Sequence, residues 1–348
     1  MFRVRAIQVE HGDSLLISYG DDKRPYHLLV DGGPLESKDT LRSVLEDACV
    51  DGSLHLEVLV ITHFDLDHIE GVIELLTSVP SWLTIGDVWF NGYHHLTPPD
   101  MLGPAQGDTL SKLIRRLGLP WNKCFRKNDE DKEGGAILQS GNTLSLSGGL
   151  EVGVLSPDQE GLTALAGAWT NPDLPPEDSE SPPGDLLGRG DRWPPYEFAS
   201  DQTPFFRSDT SKANRSSIGL LLNFEGKRIL LAADALSSVI EEGLQKHLSI
   251  GASIDLLKVS HHGSKGNTAK SLLALLRCSR FLICTSGKNH LHPDHALIER
   301  LVAGYTNPEI IFNYSQGWPG NWINKPGGWP PFRVRYPEDS NPFVDVLL

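Results

Sequence analysis

No apolar run in this sequence approaches the roughly 20 residues that a bilayer-spanning helix needs, and none of its four cysteines (Cys49, Cys124, Cys278, Cys284) belongs to a CxxC pair. The first absence argues against a membrane-spanning protein. The amino-terminal MFRVRAIQVEHGDS has neither a long apolar stretch nor a small-residue cleavage site, so it reads as a first strand and not as a secretory leader. The scattered thiols fit core-packing cysteines of a cytoplasmic protein, with Cys278 and Cys284 in a buried strand region. Basic charge is short as well: 31 Lys and Arg stand against 45 Asp and Glu, a net charge of −14. Such a chain gains no long-range attraction to nucleic acid or to an anionic membrane, although a local basic groove remains open to it. Otherwise the 348 residues, 39% hydrophobic and 22% charged, are those of a globular protein with a substantial core.

Along the chain, short β-like runs come first, at Arg3–Val9, Ser14–Tyr19 and Tyr26–Val30, followed by a turn at Asp31-Gly32-Gly33 and a helical stretch Leu35–Ala48. The compact apolar strand Leu56–Ile61 runs directly into THFDLDH and then into helical spacing at Ile69–Leu76. Strands are expected at 136–138, 143–146 and 150–155, then at Ser216–Asn223 and Lys227–Ala232 across a Glu225-Gly226 turn. Strands at 254–259, 281–285 and 309–313 alternate with helices at 236–247, 268–276 and 294–301. Two strand-rich halves with helices outside predict an α/β protein built as a four-layer αββα sandwich, one domain over 1–348. Segments 91–135 and 160–206 read as insertions. Within the second, residues 171–205 hold eight prolines and eight acidic residues but two basic ones, which suits a long surface loop.

The chemistry concentrates in Thr62-His63-Phe64-Asp65-Leu66-Asp67-His68. If the strand continues, alternation points His63, Asp65 and Asp67 one way and Phe64 and Leu66 into the fold, with His68 opening the next helix. Imidazole and carboxylate together suit zinc or manganese. A helix-capping role for Asp67 would explain one aspartate and neither histidine. A second cluster, Lys258-Val259-Ser260-His261-His262-Gly263-Ser264, also follows a buried strand. Neighbouring histidines of a strand face opposite ways, so one is expected to ligate; His261 is the choice, with His262 left to orient substrate or a ligand. Asp234 ends the apolar run Leu230–Ala233 at the sheet rim, where a carboxylate can bridge two ions. Asp31 ends another strand and is expected to hold a ligand histidine. In the loop Asn289–Pro293, His292 is a candidate to contact substrate or protonate a leaving group.

These pieces, with His11-Gly12-Asp13-Ser14, Leu29–Gly33 and Asn214–Ser217, resemble in order the metallo-β-lactamase superfamily, and within it the hydrolase domain at the carboxyl end of the DNA-uptake competence channel proteins. The resemblance spans almost the whole chain. It departs from the usual HxHxDH loop, because Asp65 replaces the second histidine, and the third motif offers Asn214 and Ser216 instead of a histidine. That makes the first metal site oxygen-rich, so Mg²⁺ joins Zn²⁺ and Mn²⁺ as a candidate. The resemblance implies two divalent ions: His63 and Asp65 hold one, Asp67, His68 and His261 the other, and Asp234 lies between. Asp31, His262, Asn214, Ser216, Ser264 and Lys265 fall around them, touching ligands or substrate. No channel segment accompanies the motifs, so a role in uptake is not carried over.

The implied reaction is hydrolysis by a metal-activated water, with Asp67 and His292 as the catalytic candidates. The charges of Asp65, Asp67 and Asp234 against two divalent cations leave one net positive charge, which favours an anionic substrate, best a phosphodiester or nucleic acid. Lys212, Arg215, Lys258 and Lys265 near the motifs offer a basic rim. An uncharged ester, lactone or amide is the alternative, with Trp82, Trp89, Tyr93, Trp169 and Trp193 to line a pocket; a non-catalytic metal-binding module is another. No protein partner or membrane is indicated.

Overall fold

The computed structural model describes residues 1–96, 109–128, 130–131, 133–168, 191–195, 198, 206–338 and 341–348. Its strands, in chain order, are β1 (Phe2–Ile7), β2 (Leu15–Gly20), β3 (Pro25–Val30), β4 (Leu54–Val60), β5 (Leu83–Ile85), β6 (Val88–Trp89), β7 (Thr143–Ser145), β8 (Glu151–Ser156), β9 (Gly219–Phe224), β10 (Lys227–Leu231), β11 (Ala252–Ile254), β12 (Leu256–Lys258), β13 (Leu276–Cys278), β14 (Arg280–Ile283), β15 (Glu309–Phe312), β16 (Arg333–Arg335) and β17 (Phe343–Leu347). One sheet runs β17-β1-β2-β3-β4-β5 with β6 beside β4; the other runs β16-β15-β14-β12-β10-β9-β8-β7.

Alternation along the strands divides their side chains between a shared interior and two outer faces. Leu28 and Val30 of β3 face a core with Leu220, Leu222 and Ile229 of the other sheet. Leu29, between them, faces outward to Leu41, Val44 and Leu45 of helix Lys38–Asp47 and Val72 and Leu76 of helix Leu66–Thr77. On the far side Leu221, Leu230 and Leu257 turn away from the shared core toward Ile240 and Leu244 of helix Ser237–His247 and Leu297 and Leu301 of helix His295–Gly304. Three apolar interfaces between four layers are the αββα sandwich expected. Each fully buried Leu, Ile or Val contributes about 1.5–3 kcal/mol, and these interfaces hold the strand tips in place.

Several boundaries differ from the sequence reading. Helix Leu66–Thr77 begins three residues earlier than Ile69, so Leu66 sits in its first turn, 49% exposed, while Phe64 is buried as expected. Residues 136–138 form no strand; Asn91 instead exchanges side-chain hydrogen bonds with the Ile137 backbone, at 2.9 and 2.8 Å. The run 254–259 is broken at Asp255, whose carboxylate accepts from the Arg228 backbone. In segment 91–135, helix Thr109–Leu117 packs Leu110, Leu113 and Ile114 onto the outer core. Most of 171–205, and Trp169, lie outside the described residues.

Candidate metal centre

β3 and β4 are parallel neighbours in one sheet and β10 and β12 in the other, and the segments that follow their carboxyl ends converge between the two sheets. Asp31 follows β3, the THFDLDH loop follows β4, Asp234 follows β10, and the tandem histidines follow β12. The loop and Asp234 meet although 166 positions separate His68 from Asp234 in the 348-residue sequence: His68 Nε2 lies 3.3 Å from Asp234 Oδ2.

Four ligand atoms are spaced for a small cation. His68 Nε2 is 3.7 Å from Asp67 Oδ2, and His262 Nε2 is 3.3 Å from Asp67 Oδ2 and 3.4 Å from Asp234 Oδ2. A tetrahedral site with bonds of about 2.0–2.1 Å has edges of about 3.3–3.4 Å. Beside these, His63 Nε2 is 3.4 Å from Asp65 Oδ2 and groups with His68 and Asp234. None of these carboxylates is spent on a helix cap. Asp65 sits at the N-cap of Leu66–Thr77 without a side-chain cap bond, and helix Ser237–His247 begins after Leu236, beyond Asp234.

Hydrogen bonds fix which ring nitrogen faces the pocket. His68 donates Nδ1–H to Asp31 Oδ2 at 2.9 Å, and His262 donates Nδ1–H to the Cys284 carbonyl at 3.0 Å. The Thr62 hydroxyl gives its one hydrogen to Asp31 Oδ2 at 2.7 Å, so His63 Nδ1–H donates to the Thr62 oxygen at 3.0 Å. Each ring is left with Nε2 as its lone-pair nitrogen. The Nε2 atoms of His63, His68 and His262 are buried without a hydrogen-bond partner. Buried polar atoms are otherwise almost always satisfied, so this donor set fits a divalent cation.

The electrostatics agree. Burial alone would depress the His68 pKa, but Asp234, Asp67 and Asp31 outweigh it and hold it well above the usual histidine value. Burial is likewise overcome at His262 by Asp234 and Asp13. Burial would raise the Asp234 carboxyl, yet His262, His68 and His261 keep it well below the usual range. A pocket that draws protons onto two imidazoles is short of positive charge, and a cation supplies it at the same atoms.

The tandem histidines do not lie as strand alternation would place them. They lie in a tight turn, with φ of 49° at His261 and 53° at His262, so strand alternation does not apply to them. His262 is buried in the cluster, whereas His261 is half-buried at its edge, Nε2 3.9 Å from Asp234 Oδ2. His261 Nδ1 donates to Asn267 Oδ1 at 3.0 Å. Asn267 and Asn214 both donate to Asp209 Oδ2, at 2.9 and 2.7 Å. Asn214 thus braces this network, and Ser216 spends its hydroxyl on the Ala213 carbonyl at 2.7 Å. The Ser264 hydroxyl accepts from Gly266 N at 3.2 Å, and Lys265 N donates to Asp294 at 2.7 Å. His292 lies beside His261, ring centroids 5.8 Å apart. Burial first, then the His261, His262 and His290 rings, hold its pKa well below the usual value, so it is neutral near pH 7.

Two expectations about the rim are corrected. Lys258 is buried beneath the site in an ion pair with Asp13. Arg215 is engaged by Asp158 at 2.7 Å and Glu160 at 2.9 Å. Exposed Lys212 and half-buried Lys265 remain beside the site motifs. Among the aromatics considered for an apolar pocket, Trp89 is wholly buried in the shared core, Trp82 and Tyr93 pack on the outer core, and Trp193 packs against Trp318 and Trp322. Asp13, Thr62, Asn267 and Asp209 escaped the sequence reading of roles. Asp13 carried a signal, standing in the HGDS motif.

No family model matches the chain. Among curated proteins it is similar to ComE operon protein 3 of Bacillus subtilis (strain 168), 30% identical over 96 residues, which are 27% of this chain and 12% of that protein. Among solved structures it is similar to the metallo-β-lactamase fold protein YhfI of Bacillus subtilis, at 10% identity, 100% of both chains and a TM-score of 0.42. It is also similar to human short-form tRNase Z, at 9% identity, 100% of this chain, 99% of that one and a TM-score of 0.41. The αββα sandwich rests on this chain's own sheets and layers.

Proposed function

We propose that this protein is a hydrolase that binds two divalent cations, Zn²⁺ or Mn²⁺, and cleaves phosphodiesters, with nucleic acid or a nucleotide as the substrate class. The observation that carries the reading is that the buried, unpartnered atoms His68 Nε2 and His262 Nε2 stand with Asp67 Oδ2 and Asp234 Oδ2 at tetrahedral spacing. In this reading Asp67, His68 and His262 would hold one ion and His63 and Asp65 the other, with Asp234 within reach of both. Bound there, the cations supply Lewis acidity and lower the pKa of water toward about 7. Asp31 and the Cys284 carbonyl keep the imidazoles in one tautomer. His261 and neutral His292 flank the pocket with ring nitrogens for substrate or leaving group. Among the described aromatic candidates, Trp89 is spent in the shared core and Trp82, Tyr93 and Trp193 pack against the outer cores, which favours the phosphodiester.

The test is turnover by chelator-stripped protein reloaded with Zn²⁺, Mn²⁺ or Mg²⁺, against bis-p-nitrophenyl phosphate, single-stranded DNA and RNA, nitrocefin and a lactone. Phosphodiester cleavage that Asp67→Ala abolishes is expected. Metal-loaded protein that turns over only nitrocefin or the lactone, or nothing, overturns the substrate class.

A further inference from the structure

A lysine buried among leucines needs an explanation, because an ammonium ion loses several kcal/mol of hydration on burial unless it is paired. Lys258 ends β12 and is 1% exposed; its strand neighbours Leu256, Leu257 and Val259 are ordinary core. Its ammonium forms an ion pair with Asp13, itself 2% exposed, and donates to the Ala233 carbonyl at 3.4 Å. The same ammonium stands 4.0 Å from Asp234 Oδ1. The two oxygens of Asp234 therefore have different neighbours: Oδ1 faces the ammonium, and Oδ2 faces His68 at 3.3 Å and His262 at 3.4 Å. Asp13 completes the linkage, its free oxygen 3.4 Å from His262 Nδ1.

We propose that Lys258, held by Asp13, is a positioning residue that commits one oxygen of Asp234 and so makes that carboxylate present a single oxygen to the cation pair. An unrestrained carboxylate is free to chelate one ion with both oxygens. With Oδ1 facing a fixed positive charge, Oδ2 alone is left to be shared, and sharing is what joins two ions into one centre. This inference rests on the two-cation reading above. The lysine belongs to no ligand set.

The test uses Mn²⁺ alone. Wild type, Lys258→Met and the double variant Asp13→Asn/Lys258→Met are stripped, titrated with Mn²⁺ by calorimetry, and read by electron paramagnetic resonance; circular dichroism melts check folding. The double variant removes both buried charges together and leaves no unpaired partner. Wild type is expected to bind two ions with the multiline spectrum of an exchange-coupled pair. The double variant is expected to keep the first ion, bind the second at least about tenfold more weakly, and give an uncoupled spectrum. A folded double variant with two ions, unchanged affinities and the coupled spectrum overturns the role of Lys258 alone. A wild type that binds no Mn²⁺ overturns the metal reading and this inference with it.

Discussion

His262 and His261 are neighbours with different tasks. His262 donates to a carbonyl that can only accept, is fully buried, and turns Nε2 onto Asp67 and Asp234. His261 is tied to Asn267 and stays at the edge. His262→Ala is expected to weaken binding of the first ion by more than the roughly 100-fold upper range for an outer partner, and His261→Ala to leave it nearly intact while lowering turnover. Calorimetric titration of the two variants checks the contrast; equal losses would show that both ligate. Asp31→Ala removes the acceptor that orients His68, and a 10- to 100-fold loss of metal affinity is expected. Away from the site, His27 is buried and bonded to Ser18 at 3.0 Å. Burial first, then Arg3 and Arg5, lowers its pKa to about 4. A folded-state value below the unfolded one means that the unfolded chain takes up the proton first. The contribution of neutral His27 is therefore complete above about pH 6.5 and is lost as pH falls toward 4, up to about 3 kcal/mol. Urea melts of His27→Gln across this window should show a shallower acid loss than wild type.

At the scale of elements, the site depends on how closely helix Leu66–Thr77 approaches the loop after β3. A Cβ on Gly71 would stand 2.1 Å from the Gly32 carbonyl oxygen, so only glycine lets the helix seat against that loop. Gly71→Ala is expected to cost about 1–3 kcal/mol in urea unfolding and to weaken metal binding, because His68 and Asp31 sit on the two sides of that contact. This also shows what could be read from the sequence. Strand alternation and the apolar runs located most of the strands around the site, and HFDLDH and Asp234 were legible as strand-tip groups because short-range spacing dictates where they fall. Leu66 was misplaced because the chain turns helical one residue after Asp65, ending the alternation early. Which of His261 and His262 is the more buried was not legible for a similar reason: both residues take left-handed φ values, which no hydrophobic pattern reports. Lys258 and Asp13 lie 245 positions apart, and Asp209 reaches Asn267 across 58. Partnerships at such separations are created by packing, and local spacing carries no trace of them.

The whole molecule is a sandwich whose net charge of −14 contrasts with a pocket short of positive charge. No described helix is long and apolar enough to cross a membrane. A cation that binds the folded chain and not the unfolded one stabilises it by mass action, about 2.7 kcal/mol at a hundredfold excess over the dissociation constant. Saturating Zn²⁺ or Mn²⁺ should therefore raise the melting temperature of stripped protein by about 4–8 °C, and a chelator should reverse the shift; Asp67→Ala should show little of it. The central claim, that four side chains from distant strand tips grip one cation, is tested most directly by crystals soaked in Mn²⁺ or Zn²⁺ and recorded at the metal's absorption edge. The account predicts an anomalous peak about 2.0–2.3 Å from His68 Nε2, His262 Nε2, Asp67 and Asp234. Metal-saturated crystals with no peak among these four residues would contradict it.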